Sequence, residues 1–264
     1  MIGNGRPAGC TSAAVGAAVA QGGPISFDCG PGAVTIDMAQ TAKVMNTSPS
    51  VVLNGGGKVT LSGQGAQRIL YMNTCDRKQV WTTSHCQRQS TPKLVIENMT
   101  FQDGDSSGDG QTGGGAAVRA YVMAAPVTVT GSTFSDNVCS NGGALGSIGA
   151  SWTIQHSTFK GNRAIGSGAN PPAKGTAGGG SGGAIYNDGD QMHLSLVDST
   201  LTNNTANEGG GAIFFVSDDR TGALSFTGSR LVGNPSDGFE TAGLPGIYFV
   251  GAHAPTIRQS VLKP

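Results

Sequence analysis

The chain has 264 residues, of which 44 are glycine, 12% are charged and 37% are hydrophobic. Sixteen basic residues balance sixteen acidic ones, which argues against an anionic membrane surface and against a nucleic-acid partner, since nucleic-acid-binding proteins carry a basic stripe. Every apolar run is shorter than the ~18 residues that identify a transmembrane helix, so we expect no membrane span.

A capping helix is the first predicted element. Residues 11–21 are rich in alanine, and Thr11 and Ser12 are typical N-capping residues. We expect a segment of about residues 10–30 to cover the open end of a stack of strands, because an exposed strand edge invites aggregation. Residues 31–262 are then expected to form the coils of a single domain.

The five cysteines indicate the cellular compartment in which the protein resides. None lies in a Cys-x-x-Cys pair, which argues against a thiolate zinc site. Local spacing favours two disulfides, Cys10–Cys29 and Cys75–Cys86, and leaves Cys139 free. Since disulfides persist in oxidising compartments, we expect a secreted, extracellular or cell-surface protein. The polar start of the chain is unlike a signal peptide, and we expect that one has been removed.

Short strands recur along most of the chain. Five segments align without a gap, at residues 94–101, 127–134, 152–159, 194–201 and 224–231. Each has apolar residues at positions one, three and eight, as in Leu94, Ile96 and Phe101. An asparagine follows three residues later in the last four copies, at Asn137, Asn162, Asn204 and Asn234. A Gly-Gly-Ala motif before an apolar strand residue alternates with this pattern, for example at residues 142–145.

This repeat predicts an all-β fold, a right-handed parallel β-helix with an N-terminal capping helix. A short strand of period two, a turn and a second inward residue fit one coil of roughly 25 residues in a solenoid. The recurrent asparagines predict a buried ladder that bonds successive coils, because a buried amide without partners is costly. The paired glycines permit a tight corner with positive φ.

The alternation of Gly-Gly-Ala-Ile/Leu with Phe-x-x-Asn over about residues 94–250 resembles the repeats of chlamydial polymorphic outer-membrane proteins. It is also similar to secreted bacterial pectate-lyase-like β-helix proteins. These resemblances imply the β-helical fold, and they imply functions that range from adhesins to polysaccharide lyases and glycoside hydrolases. The Asn-Thr-Asp and Gly-His-Gly signatures of polygalacturonases and the Arg-x-Pro-x-x-Arg segment of pectate lyases are absent from the sequence, which argues against those enzymes.

Acidic residues form the candidate catalytic site. Asp188, Asp190, Asp218 and Asp219 follow the Gly-Gly-Ala-Ile strand at equivalent positions in consecutive coils, and strands only about 4.8 Å apart would bring them together. Such a pair raises one pKa and serves a glycosidase as acid and base. With Arg220 beside them, the acids would instead bind calcium and a uronate. His156 is the candidate proton carrier. The alternative is that these are solvated corner acids and an exposed histidine.

A second acidic set is the candidate metal site. Asp103, Asp105 and Asp109 are spaced as in a calcium loop, although the distal glutamate of an EF-hand is missing. Solvated turn acids are the alternative, and calcium is the one cofactor that the sequence suggests. Insertions at residues 103–113, 163–181 and 235–245 follow the same corner of the repeat, and we expect them to build a wall beside the coils.

Three functions fit these features. The first is a monomeric secreted protein that binds an extended polysaccharide along a lateral groove and, if it is catalytic, cleaves it as a lyase or glycoside hydrolase. The second is a non-catalytic adhesin or structural β-helix of the cell surface. The third is a binder of ice or another solid surface, since Thr128, Thr130, Thr153 and Ser195 would form stacked outward hydroxyls. We prefer the first, because loops, acids, histidine and arginine are available for a groove.

Overall fold

The structure is a computed structural model that describes residues 1–79, 86, 89–109, 114–121, 126–168 and 178–264. Within these residues every pair of neighbouring strands is parallel, and the strands form sheets of 15, 7 and 3 members. The chain is a right-handed parallel β-helix with an N-terminal helix, as the repeat predicts. The described residues contain no helix with the length and apolarity that a membrane crossing requires.

Each coil has four faces, which we number in chain order. The 15-stranded sheet covers two of them and includes Ile2–Gly3 at its start. Its first-face strands are Gly23–Asp28, Pro126–Thr130, Ser151–Gln155, His193–Val197, Ala223–Thr227 and Thr256–Arg258. Its second-face strands are Val34–Asp37, Thr133–Ser135, Thr158–Lys160, Thr200–Thr202, Arg230–Val232 and Val261–Lys263. Ser50–Ser62 and Lys93–Gln102 run through both faces without a break.

The two remaining faces complete the coil. The third face contains the strands Val138–Cys139, Arg163–Ala164 and Thr205–Ala206. The fourth face contains Ala42–Lys43, Leu70–Asn73, Val118–Tyr121, Leu145–Ile148, Ile185–Gly189, Ile213–Ser217 and Ile247–Val250. Short 3₁₀ turns lie at Pro7–Gly9, Arg77–Gln79 and Ser107–Asp109.

The predicted inward residues form the core. All fifteen apolar positions of the five aligned segments are at most 1% exposed, and the pairing register places each on its counterpart, as in Phe101, Phe134 and Phe159. The rings of these three phenylalanines stack with centroid separations of 5.2 and 4.7 Å. Burial of one such side chain stabilises the folded state by about 1.5–3 kcal/mol. The apolar positions of the sequence repeat therefore form the hydrophobic core in every coil.

The asparagine ladder is confirmed. The Nδ2 group of Asn137 donates to Oδ1 of Asn162 at 2.9 Å, and Asn162 donates likewise to Asn204 at 2.8 Å. Asn204 donates to Asn234 at 2.8 Å. The Oδ1 atoms of the last three asparagines each accept the backbone N–H of the preceding asparagine, and Oδ1 of Asn137 accepts that of Gly104. Each Nδ2 also donates to a backbone carbonyl. The amide is both donor and acceptor, so one residue type satisfies the whole column.

A second ladder, of serines, was not expected from the sequence. At the corner between the first and second faces, the backbone N–H of Ser157 donates to Oγ of Ser199 at 3.1 Å, and that of Ser199 donates to Oγ of Ser229 at 3.2 Å. Ser132 and Ser260 extend the column at its two ends. The signal was present, since a serine stands two residues before the last apolar position in four of the five segments.

The Gly-Gly-Ala corners adopt the predicted backbone conformation. The register makes Gly115, Gly142, Gly182 and Gly210 equivalent, and their φ values are 77°, 58°, 70° and 62°. A Cβ atom on Gly183, the second glycine of one motif, would lie 2.0 Å from the backbone oxygen of Gly211 in the next coil. Close contact of coil backbones therefore requires glycine here.

The amino-terminal end is capped as expected. The α-helix Ser12–Gln21 begins after Thr11, whose side chain accepts the N–H of Ala14. Val15 and Val19 are fully buried against the core. The Cys10–Cys29 disulfide joins the start of this helix to the first coil.

The predicted cysteine pairing is also confirmed. The structure contains the disulfides Cys10–Cys29 and Cys75–Cys86. Cys139 is free and fully buried, with its Sγ 3.1 Å from Oγ of Ser106. The burial of Cys139 makes its thiol inaccessible to reagents in the folded state.

Replacement of Asn162 by alanine should destabilise the fold by about 1–3 kcal/mol, because it leaves buried donors and acceptors of Asn137 and Asn204 unpaired. Urea unfolding measures the change. Lys160→Ala is the matched control, since Lys160 is exposed on the same coil. Equal stability of Asn162→Ala and the parent protein would contradict a structural role for the ladder.

A thiol titration should find no reactive cysteine in the native protein and one equivalent per chain after unfolding without reductant, because Cys139 is buried and the other four cysteines are paired. Peptide mapping without reduction identifies the free residue. A peptide in which Cys139 is disulfide-bonded would refute the assignment.

Candidate functional site

The insertions and the candidate acids lie at different corners of the coil. The insertion at residues 163–181 leaves from the third face, and the other two leave at bridges beside that face, Asp105 with Val138 and Ala206 with Ser236. Residues 110–113 and 169–177 lie outside the described part. The acids lie at the far ends of fourth-face strands, at residues 188–190 and 218–220, which we call the acidic corner; Asp188 is still within its strand, and the other acids follow theirs. The expected wall therefore does not flank the acids.

The insertion at residues 163–181 is anchored where it is described. Gly168 donates its backbone N–H to Oε1 of Glu208 at 2.9 Å, and Gly180 donates to the backbone oxygen of Ser140 at 2.7 Å. A Cβ on Gly180 would lie 2.6 Å from Cγ of Glu208. Glu208 thus holds the base of the insertion against the next coil.

Asp188 is the acid of the corner with the most unusual environment. Its Oδ2 accepts a 2.8 Å hydrogen bond from the hydroxyl of Tyr186, two residues earlier on the same outward side of the strand. Burial raises the pKa of Asp188; the Tyr186 hydrogen bond opposes the rise, and the nearby charge of Asp218 adds to it. The pKa of Tyr186 is also raised, first by burial and then by Asp188. Asp188 is therefore a carboxyl group that holds its proton more tightly than usual.

Only part of the acidic corner stacks as expected. Gly189 pairs with Ser217, so Asp190 and Asp218, the next residues, occupy equivalent positions. Asp188 pairs with Val216 instead of with an acid. The prediction that all four acids are equivalent was wrong, because the register aligns the strand starts Ile185 and Ile213 and thereby offsets Asp188 from Asp218.

Asp219 and Arg220 belong to the turn itself. Oδ1 of Asp219 accepts the backbone N–H of Thr221 at 3.0 Å and the hydroxyl of Ser217 at 2.8 Å. These bonds, first that of the Thr221 backbone, lower the pKa of Asp219 to about 2. Arg220 has a positive φ of 58° and is exposed. Asp219 therefore acts as an ionised turn-capping acid.

His156 lies away from the acidic corner. It occupies the corner between the first and second faces, where its Nδ1 is 3.9 Å from Oδ2 of Asp198 in the next coil. The side chains are 62% and 54% exposed. The full width of the first face separates His156 from Asp188, so the structure does not assemble the predicted set of acids with a histidine.

In the candidate calcium loop, the carboxylates of Asp103 and Asp105 accept hydrogen bonds from nearby residues. Oδ1 of Asp105 accepts both the N–H and the hydroxyl of Ser107, at 2.8 and 2.7 Å. Oδ2 of Asp103 accepts from the side chain of Gln102. The side chain of Asp109 lies outside the described part. Among the described residues there is no cluster of three or more histidine, cysteine or acidic side chains that would hold a metal ion.

An aromatic row on the fourth face was not expected from the sequence. Tyr186, Phe214 and Tyr248 pair in register and point outward, and their rings stack with centroid separations of 4.9 and 5.2 Å. Phe239, from the insertion at residues 235–245, packs edge-on against Tyr248 at 4.7 Å. The signal was an aromatic residue directly after Ile185, Ile213 and Ile247.

The aromatic row continues into a polar segment towards the amino terminus. Its register positions in the earlier coils are Gly146, Arg119, Tyr71 and Lys43. The charge of Arg119 opposes the rise in pKa of both Tyr71 and Tyr186. We call the seven positions from Lys43 to Tyr248 the fourth-face row.

Outward hydroxyls form a separate row on the second face. Thr35, Thr60, Thr100, Thr133, Thr158 and Thr200 pair in register through consecutive coils. On the first face the expected outward residues Thr128, Thr153 and Ser195 also pair in register, and Ser225 extends their row. Threonine suits a solvated strand. The first and second faces therefore present rows of hydroxyl groups, whereas the fourth face presents stacked aromatic rings.

Comparison with known families gives one match. Residues 198–216 match the Chlamydia polymorphic membrane protein repeat. This segment contains one copy each of the two alternating motifs, with Asn204 of the ladder and the glycine pair at residues 210–211. No curated protein and no solved structure matches the chain. The repeat match and the stacked parallel coils fit a β-helix similar to those membrane proteins.

Replacement of Asp188 by asparagine should raise the melting temperature at pH 7 by on the order of 1–3 °C. A raised pKa means that folding favours the protonated carboxyl, so its stabilising effect is present at low pH and is lost as the pH rises through the folded pKa. The gain from the substitution should therefore vanish near pH 3, below the ordinary aspartate pKa of about 3.9.

Asp237→Asn is the control, since Asp237 is an exposed acid of a loop. Melting curves from pH 3 to pH 8 give the comparison (this range brackets the ordinary aspartate pKa). A lower melting temperature for Asp188→Asn at pH 7, matched by the effect of a chelator on the parent protein, would mean that a cation stabilises the carboxylate, which is the behaviour of a calcium site.

Proposed function

We propose that the chain is an extracellular or cell-surface β-helix that binds an extended polysaccharide along the fourth-face row. One observation carries this proposal. A single column of the pairing register on one outer face contains Lys43, Tyr71, Arg119, Tyr186 and Phe214. A ligand laid along the helix axis meets a new position of the row about every 4.8 Å, and each position except Gly146 has a side chain. A polymer of similar units is the ligand class that suits such a repeating surface.

The chemistry of the row supports a sugar polymer. The phenol groups of Tyr71 and Tyr186 donate and accept hydrogen bonds, and the ring edges of Phe214 and Tyr248 are apolar and half-buried. Sugars present both hydroxyls and apolar C–H groups. Rigid aromatic residues contribute contact area at a low cost in conformational entropy. The mixed row therefore fits a glycan better than a purely apolar partner.

Two observations support an extracellular or cell-surface location of the protein. The two disulfides are typical of oxidising compartments outside the cytoplasm. The repeat match is to membrane proteins of Chlamydia, which supports a role at a cell surface. An adhesin-like role and glycan binding are compatible, because an adhesin that binds glycans uses the same kind of surface.

Cleavage of the glycan is the second candidate, and the environment of Asp188 favours it. A carboxyl group of raised pKa near a second carboxylate, Asp218, is the arrangement that glycosidases use for acid and base. Elimination as in lyases would need a base, and the exposed His156 is too far around the coil to serve with Asp188. Hydrolysis at the acidic corner is therefore the reaction that we would test first.

Phe214→Ala should weaken polysaccharide binding about 3–10-fold, the equivalent of an aromatic contact of roughly 0.5–1.5 kcal/mol. Binding to a set of neutral and acidic polysaccharides is measured with immobilised glycans, and the same samples are assayed for new reducing ends. Thr158→Ala is the matched control, a half-buried outward residue of the second face.

The control also separates the alternatives. A loss of binding in Thr158→Ala with none in Phe214→Ala would move the function to the threonine row and to a solid surface. Absence of binding to every glycan would refute the proposal. Reducing ends that disappear in Asp188→Asn would identify a hydrolase.

A further inference from the structure

A row of six threonines runs along the second face of the coils. Its members occupy the same outward position in six consecutive coils and pair in register: Thr35, Thr60, Thr100, Thr133, Thr158 and Thr200. Neighbouring members are about 4.8 Å apart, so this threonine row is about 24 Å long. Thr35 is exposed and the other five are half-buried. The second face therefore presents one hydroxyl and one methyl group per coil at a regular interval.

Contacts within the protein do not explain why threonine recurs in this row. In the asparagine and serine ladders, each side chain bonds to a neighbouring coil. In the described part of the chain, by contrast, none of the six threonine hydroxyls has a hydrogen-bond partner in the protein. A hydroxyl both donates and accepts a hydrogen bond. The threonine row is thus a column of donors and acceptors available to groups outside the protein.

Strand propensity does not explain the recurrence either. Threonine, valine, isoleucine and tyrosine all favour strands, yet threonine alone occupies these six positions. The outward column two residues further along the same strands varies, although it belongs to the same face. Its members are Asp37, Ser62, Gln102, Ser135, Lys160 and Thr202. A requirement for one side chain at one spacing therefore applies to the threonine row and not to the neighbouring column.

The spacing and chemistry of the threonine row favour ice as its partner. The distance between strands is close to a repeat distance of water molecules in ice, and each hydroxyl can donate to or accept from a lattice water. The row is uncharged, whereas a charged group would hold its own hydration shell. Aromatic rings, which suit a crystalline glycan, lie on the fourth face instead. The hydrogen-bonded coils hold the six positions in place before contact, which lowers the entropic cost of binding.

We propose that the threonine row binds the surface of ice crystals, with its methyl groups packed against the lattice and its hydroxyls bonded to lattice water. This function belongs to the second face and is independent of glycan binding on the fourth. The contact ends at Arg230, which takes the next position in the column after Thr200. The strand of Arg230 keeps its register with Val261–Lys263, so a long charged side chain fits this column without disturbing the coil.

Thermal hysteresis, the gap between the melting and freezing points of a single ice crystal, tests the proposal in a nanolitre osmometer. The parent protein should lower the freezing point below the melting point and give faceted crystals. Thr133→Arg, near the middle of the threonine row, should abolish the hysteresis, because a hydrated guanidinium interrupts the contact. Thr153→Arg is the matched control, the same change at a half-buried outward residue of the first face, and it should keep the hysteresis of the parent.

Melting curves show whether each variant folds as the parent does. If Thr133→Arg melts at a lower temperature, the double variant Thr100→Ala/Thr133→Ala replaces it and should also lose the hysteresis, since alanine removes both groups without adding bulk. Hysteresis that is absent from the parent, unchanged in the folded row variant, or abolished by Thr153→Arg would each overturn the inference. Phe214→Ala should retain the hysteresis, which separates ice binding from glycan binding.

Discussion

Stacking of parallel coils in one register is the constraint on which the rest of this structure depends. The backbone hydrogen bonds between coils place each residue directly on its counterpart, about 4.8 Å away. A residue whose side chain packs well against the same residue type in the next coil is therefore favoured throughout a column. Phenylalanine meets this condition by ring stacking and asparagine by its self-complementary amide. A column made of aspartates would instead place like charges in contact.

The same constraint explains the chemistry of the outer faces. Similar groups recur on a face, with threonines on the second face and aromatic rings in the late coils of the fourth. Charged residues rarely stack on their own kind. Asp188 has Ile148 and Val216 as its neighbours in the column, and the acids at equivalent positions, Asp190 and Asp218, lie at a corner that water reaches. Burial is the main cause of the raised pKa of Asp188, and the charge of the offset Asp218 adds to it.

A surface built in this way is suited to a repeating ligand. The fourth-face row changes along its length, from the lysine and tyrosine of the early coils to the stacked rings of the late ones. Its two ends would therefore contact different parts of one polymer. The capping helix borders the polar end, because Gly16 and Ala20 line one open pocket together with Lys43.

The sequence by itself determined the architecture. Apolar residues at positions one, three and eight specify which side chains enter the core, and the asparagine three residues later specifies a column that only stacked coils can satisfy. The cysteine pairing followed from local spacing. These features repeat along the chain, so each copy supports the others.

Only the tertiary structure decided which outer residues meet. The order of residues along the chain does not give the register between coils of different length, and so Asp188 pairs with Val216 instead of an acid. Nor does it give the corner at which a residue lies, and so His156 is separated from the acids by the first face. Lys43 and Gln79, which are more than 30 residues apart in the chain, line one open pocket of the folded protein. Inward positions are set by hydrophobic periodicity, which is local, whereas a surface site depends on the stacking of distant coils, which only the folded chain establishes.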